Sequence, residues 1–210
     1  MAITNYTELQ TAIVNWTKRT EGITARANEF IALAEADFNR KLRTRDMESV
    51  ATVTASAATY PLSALSSTYL EHRTFWLDLA TDRPLEYVTP DVFHAKYLGV
   101  DTGKPVAYTI EGNVLRFGPA PDSTYTGQFL YVGAVPALST ASATNFLLTA
   151  APDVYLYGSL VQAAAYFNDD NRLPIWETFY ERAIDEYQRS QNRGRYSSGS
   201  LMPRTRSRPA

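Results

Sequence analysis

A chain of 210 residues, 45% of them hydrophobic and 20% charged, can bury roughly two-thirds of its unfolded surface, which excludes disordered and collagen-like classes. The absence of cysteine excludes disulfide frameworks, thiolate nucleophiles and zinc-cysteine centres. Net charge is only −2, yet residues 193–210 hold five arginines and no acid, which leaves −7 on residues 1–192.

The N-terminal MAITNYTEL has no basic segment followed by an apolar one, and no run approaches the ~18 apolar residues of a membrane span, so an aqueous location and no membrane partner are expected. Two helices are predicted in the first forty-five residues. Asn5 with Glu8 three residues on forms a capping-box pattern, and Leu9, Ile13 and Trp16 share one face. After Gly22, Thr24 is placed to cap a second helix, in which Ala27, Phe30, Ile31, Ala34, Phe38 and Leu42 recur at spacings of three and four. Asp37 and Lys41 fall at i,i+4 on its polar side.

From Met47 to about Val135 the pattern changes to strands. Glu48 to Thr54 and Tyr69 to Leu79 are rich in β-branched, aromatic and leucine residues. Val106 to Glu111 and Val114 to Phe117 flank Gly112-Asn113, a dipeptide able to supply the positive φ of a two-residue hairpin turn. In the strand from Tyr125, the residues Tyr125, Gly127, Phe129 and Tyr131 alternate with Thr126, Gln128, Leu130 and Val132, which predicts one aromatic face and a half-covered antiparallel sheet. Between these strands, Thr89-Pro90-Asp91 marks the start of a short helix running to Leu98. A loop of small residues, Pro136 to Thr149, leads back to helices. Pro152-Asp153 opens a segment, Val154 to Phe167, that is apolar over most of its circumference and reads as buried. Asn168-Asp169-Asp170-Asn171 is a turn, and Pro174 opens a last helix with Trp176, Phe179, Tyr180, Ala183, Ile184 and Tyr187 on one face and Asp185 paired with Arg189 outside.

The fold class expected is α+β. Helix pairs at residues 1–46 and 150–192 form a helical bundle, residues 47–149 are an inserted antiparallel β-rich region, and residues 193–210 are a flexible basic arm. The arm, RGRYSSGSLMPRTRSRPA, has no helical or strand period and too little apolar surface to offset its ordering entropy.

Catalytic signatures are missing: the chain contains no G-x-x-x-x-G-K-[ST], G-x-G-x-x-G, H-E-x-x-H or G-x-S-x-G. His72 and His94 stand alone, without metal-ligand spacing around either, so structural or surface roles fit them better than catalysis. Asp169-Asp170 fits a turn better than an acid-base pair. No catalytic residue, metal or cofactor is expected. Aromatic residues reach 12%, but Tyr125, Phe129 and Tyr131 lie in a stretch free of Lys and Arg from Arg116 to Arg172, which favours a sheet core or a subunit interface over base stacking. Tyr196, Leu201, Met202 and Pro203 among the arginines favour an arm that folds onto a protein partner over pure phosphate binding.

The blocks YTELQTAIVNW, FIALAEADFNRKLRTRDME, PLEYVTPDVF, GKPVAYTIEGNVLRFGPAPDSTYTGQFLYV, TNFLLTAAPDVYLYGSLVQAAAYFNDD and WETFYERAIDEY, in that order over about residues 4 to 190, resemble the head-to-tail adaptor proteins of tailed bacteriophages. The resemblance implies a structural, non-enzymatic subunit of the virion neck, assembled in the host cytoplasm. Its implied partners are the portal protein, a tail or nozzle protein, and itself as a ring of about twelve copies. Phage DNA would pass through the lumen without sequence-specific binding. By analogy with ring adaptors, Arg193, Arg195, Tyr196, Leu201, Arg204, Arg206 and Arg208 are expected to form a portal-binding arm, although the arm lies outside the matching blocks. The competing readings are a nucleic-acid-binding module acting through the basic tail, and a hydrolase built around His72 and nearby carboxylates.

Overall fold

A computed structural model describes residues 3–18, 25–66, 68–78, 84–167 and 172–196. Apart from one short helix among the strands, helices and strands occupy separate stretches: α1 (Tyr6–Thr17), α2 (Ala27–Lys41), β1 (Glu48–Ala55), β2 (Thr59–Pro61), β3 (Tyr69–Leu77), β4 (Glu86–Tyr87), α3 (Pro90–Tyr97), β5 (Ala107–Glu111), β6 (Val114–Gly118), β7 (Tyr125–Gly133), α4 (Phe146–Ala150), α5 (Pro152–Tyr166) and α6 (Leu173–Tyr196). The α+β class follows. The chain divides into two units, one of Met1–Ala34, Thr44–Asp46 and Leu147–Ala210, the other of Glu35–Arg43 and Met47–Phe146. Helix α2 is therefore shared, its first half in one unit and its second in the other.

In the first unit, α5 is the most apolar element, burying Val154, Tyr155, Leu156, Leu160, Ala163 and Ala164, and α1 and α6 both pack against it. Asn5 caps α1 by accepting from the Glu8 amide at 2.9 Å. The reciprocal half of the expected box is displaced by one residue: the Glu8 carboxylate accepts from the Thr4 amide at 2.7 Å and the Thr4 hydroxyl at 2.8 Å, and these bonds lower the Glu8 pKa. At the other end of α1, Arg172 donates to the Trp16 and Thr17 carbonyls at 3.0 and 3.2 Å. A cation there satisfies orphan carbonyls and complements the helix dipole. Leu9 and Ile13 are fully buried, but Trp16 is 44% exposed, so the expected stripe is two residues deep and its third member lies on the flank. Phe179 departs in the same way at 42% exposed, while Trp176, Tyr180, Ala183, Ile184 and Tyr187 are buried as the period predicts. Gly22, Thr24, Leu79 and Asn168 to Asn171 lie outside the described residues.

Among the described residues the second unit holds two sheets, β1-β7-β3 and β2-β6-β5-β4. All pairings are antiparallel except β4 with β5, which is parallel. The aromatic face expected on β7 points inward: Phe129 and Tyr131 join Val53, Phe75, Leu77, Tyr108, Leu115 and Phe117 in one buried cluster drawn from both sheets. Gly127 belongs to the same row because a Cβ there would lie 2.6 Å from the Trp76 carbonyl oxygen and 2.7 Å from the Phe75 ring. The β5–β6 hairpin turns at Gly112-Asn113, with Gly112 at φ +59° and Glu111 opposite Val114. Thr89 stands at the start of α3 as expected, although its side chain makes no capping hydrogen bond. Phe93 of α3 packs with Val88, Ala107 and Tyr97.

The second half of α2 supplies polar as well as apolar anchors to this unit. Phe38 and Leu42 are fully buried. The buried Glu35 carboxylate accepts from the Leu138 amide at 2.8 Å, and the Asn39 side-chain carbonyl accepts from the Val135 amide at the same distance. These bonds satisfy backbone donors in a segment that has no sheet or helix to do so. The Asp37–Lys41 pair forms at 2.7 Å.

Candidate functional site

The interaction segment expected from residue 193 begins within a helix. The arm is expected to lack a helical period from that residue on, yet α6 continues to Tyr196. The reason is local to the first unit. Tyr187 and Gln191 both donate to one Asp46 carboxylate oxygen, at 3.2 and 2.6 Å, and a Cβ at position 194 would lie 3.2 Å from the Arg45 guanidinium. The last turns of α6 are thus pinned by the Thr44–Asp46 segment, against which glycine permits close approach. Burial, followed by the Asp46 charge, pushes the Tyr187 phenol up to about 12. Of the expected arm, Arg193, Arg195 and Tyr196 therefore stand on helical backbone, with Arg193 exposed. Leu201, Arg204, Arg206 and Arg208 lie outside the described residues.

Neither histidine sits in catalytic surroundings. His72 on β3 stacks on the Tyr87 ring at 4.2 Å between centroids and meets Tyr108 edge-on at 6.0 Å. Burial lowers its pKa, outweighing the neighbouring Glu71 charge, so the ring is neutral at physiological pH. Glu71 itself is engaged by Arg43 at 2.9 Å and Arg73 at 3.1 Å. His94 lies 2.6 Å from one Glu111 oxygen, and Arg116 lies 2.6 Å from the other. The first contact joins α3 to the β5–β6 hairpin and the second lies within the hairpin. Asp169 and Asp170 lie outside the described residues. Among the described residues no group of three or more His, Asp or Glu could hold a metal ion, and no helix is long and apolar enough to cross a membrane.

Trp16 and Phe179, which the sequence sets on apolar helix faces and the structure leaves partly exposed, belong to a second candidate. Trp16 of α1 meets Tyr157 of α5 edge-on at 5.9 Å, and Tyr157 meets Phe179 of α6 at 5.3 Å. Ile175, one turn before Phe179, is 53% exposed. Three helices thus present one aromatic strip, a kind of surface associated with protein contacts. A clue was present in the sequence: Trp16 and Phe179 sit at the edges of their stripes, where burial depends on the neighbour.

Residues 4–204 match the family model described as SU10 adaptor protein. The match reaches into the arm and includes Arg193, Arg195, Tyr196, Leu201 and Arg204, which corrects the expectation that the arginine segment stands wholly outside the resemblance. Arg206 and Arg208 lie beyond it. No curated protein matches the chain.

Proposed function

The chain belongs to the SU10 adaptor protein family of phage head-to-tail adaptors, and on that premise we propose that it is a non-enzymatic ring subunit joining the portal protein to a tail or nozzle protein in the virion neck. The observation that carries the reading is the family match over nearly the whole chain. A ring of about twelve copies closes through head-to-tail contacts, which need two different adhesive surfaces on each subunit and no active site. The strip of Trp16, Tyr157, Phe179 and Ile175 is one such surface in this reading.

Charge separates the two ends of the task. Residues 1–192 carry −7 and residues 193–210 carry +5. An acidic wall lets duplex DNA slide through the lumen without the counterion release that would hold it. The basic end, from Arg193 through Arg195, Tyr196, Leu201, Arg204, Arg206 and Arg208, binds an acidic, partly apolar groove on the portal, its guanidiniums pairing with carboxylates and its apolar residues anchoring. Assembly takes place in the host cytoplasm, on heads already filled with DNA.

Electron microscopy of purified particles is the test. The expected result is a closed ring of about twelve copies between portal and tail. One isolated copy, or density for the chain elsewhere in the particle, would sink the proposal. Retention of the free protein on DNA at physiological salt, lost on removal of the tail, would support the nucleic-acid-binding reading instead.

A further inference from the structure

The apolar stripe of α6 stops short of the end of the helix. Its last buried member among the described residues is Tyr187, and the residues that complete the helix, QRSQNRGRY, contain no apolar side chain before Tyr196. Ser190, Asn192 and Gly194 are poor helix formers, and a helix end without tertiary packing frays. Helical backbone nevertheless continues to Tyr196. A polar anchor takes the place of an apolar one: Tyr187 and Gln191, one turn apart on one face, donate to the same Asp46 oxygen at 3.2 and 2.6 Å. Gly194 continues that face, and the Arg45 guanidinium lies 3.2 Å from where a Cβ would stand. The anchor has a fixed base, because Thr44 close to it in the chain is buried.

Charge gives no reason for an acid at this place. A carboxylate alongside the C-terminal turns of a helix opposes the helix dipole, and it offsets the positive charge of a segment whose arginines suit carboxylate partners. We propose that Asp46 is a positioning residue for portal docking. By holding the last turns of α6 as helix, it fixes where Arg193 and Arg195 stand and the direction from which the residues after Tyr196 reach an acidic groove. That role rests on the adaptor reading for the identity of the partner. Asp46 itself touches no portal group and acts through Tyr187 and Gln191. A helix end ordered in advance leaves less to be ordered on binding, so affinity rises without an added contact.

Binding of the full chain to purified portal rings over a range of salt concentrations tests this. Asp46→Ala removes a negative charge, so electrostatics alone would tighten binding to an acidic groove. The expected result is the opposite, a weakening of about tenfold, with the salt slope unchanged because no arginine is lost. Asp46→Asn, whose side-chain oxygen still accepts from Tyr187 and Gln191, should restore most of the affinity. A nitroxide on Asn192→Cys, a single thiol in a chain that has no cysteine, should be held in the parent background and move freely with Asp46→Ala. Amides from Gln191 to Tyr196 should exchange about tenfold faster in Asp46→Ala, while those of α5 are unchanged. If Asp46→Ala melts well below the parent, Gln191→Ala, at a half-buried position, carries the same comparison with a weakening of about threefold. Binding by the alanine variant at or above the parent's affinity, an Asp46→Asn chain no better than Asp46→Ala, or a label equally mobile with and without Asp46 would overturn the inference and leave the adaptor reading in place. Failure of the parent chain to bind portal rings would overturn both.

Discussion

Phe38 and Phe179 are alike in sequence, each an aromatic at a stripe position of an amphipathic helix, and the structure separates them. Phe38 is fully buried and Phe179 is 42% exposed against Tyr157. Phe38→Ala should cost about 3–5 kcal/mol, the transfer energy of the ring plus the cavity it leaves. Phe179→Ala should cost about 1 kcal/mol. Thermal unfolding of the two variants checks the difference, and equal losses would refute it. Tyr187 gives a second expectation. Its phenol is raised from 10.0 to about 12, so between those values the unfolded chain has released a proton that the folded chain retains. The corresponding stability is complete below pH 10 and is lost as pH rises through 12. Tyr187→Phe should flatten the fall in melting temperature over that interval without abolishing it, because burial raises the Tyr108 phenol as well. The contrast between the two phenylalanines was half legible in the sequence: the period places Phe179 at the edge of its stripe, but whether an edge residue is covered is decided by the shape of the neighbouring element.

Among the elements, the long ones were readable because each carries its own period. The stripe of α2 from Ala27 to Leu42 and the alternation of β7 from Tyr125 to Tyr131 both appear as the pattern requires. Strand β2, with three residues, strand β4, with two, and helix α4, with five, are too short to display any period, and tertiary pairing alone creates them. Bonds over long separations were equally silent: Glu35 and Leu138 stand 103 residues apart. The cap of α1 is another such case, since Arg172 reaches the Trp16 and Thr17 carbonyls from the far end of the chain. Arg172→Ala should cost about 1.5–3 kcal/mol, the range for hydrogen bonds to a charged group, with hydrogen exchange of α1 rising first at its C-terminal turn. Gly112 and Gly127 of the β unit are open to a paired test. Gly112 has φ +59° and open space around it, whereas a Cβ at Gly127 would strike the Trp76 backbone at 2.6 Å. Gly112→Ala should cost about 1–2 kcal/mol of left-handed strain. Gly127→Ala should cost more, because the sheet and the Phe75 ring must both move.

For the molecule as a whole, the boundary of α6 changes the design of a truncation. Cutting after Asn192 would remove the turn that ends at Tyr196 and disturb the helix pinned by Asp46, so the informative chain ends at Tyr196. That chain should melt as the parent does, because no part of α6 is lost. It should lose portal binding, and particles containing it should hold DNA without tails, since Leu201, Arg204, Arg206 and Arg208 are gone. Raising salt should weaken the intact complex, but less steeply than it would weaken a tail bound to DNA phosphates. Undiminished binding of the shortened chain to portal rings would assign attachment to the helical unit. The expected arm begins on helical backbone because the bonds of Tyr187 and Gln191 to Asp46 hold the end of α6, and a pairing over more than 140 residues leaves no mark on the local sequence pattern.

The bonds from Glu35 and Asn39 to the amides of Leu138 and Val135 divide the following loop into a fixed part and a free part. Asn145 closes the free part by donating to the Pro136 carbonyl at 2.7 Å, and Ser139 to Thr144 bulge outward between, mostly exposed. A longer loop costs little in closure entropy, about 0.6 kcal/mol for each doubling. Homologues should therefore vary in length between Ser139 and Thr144 and hold their spacing from Val135 to Leu138. The same stretch is the place to insert an epitope or a fluorescent tag, so that copies of the subunit in a single particle can be counted by photobleaching without touching either end of the chain.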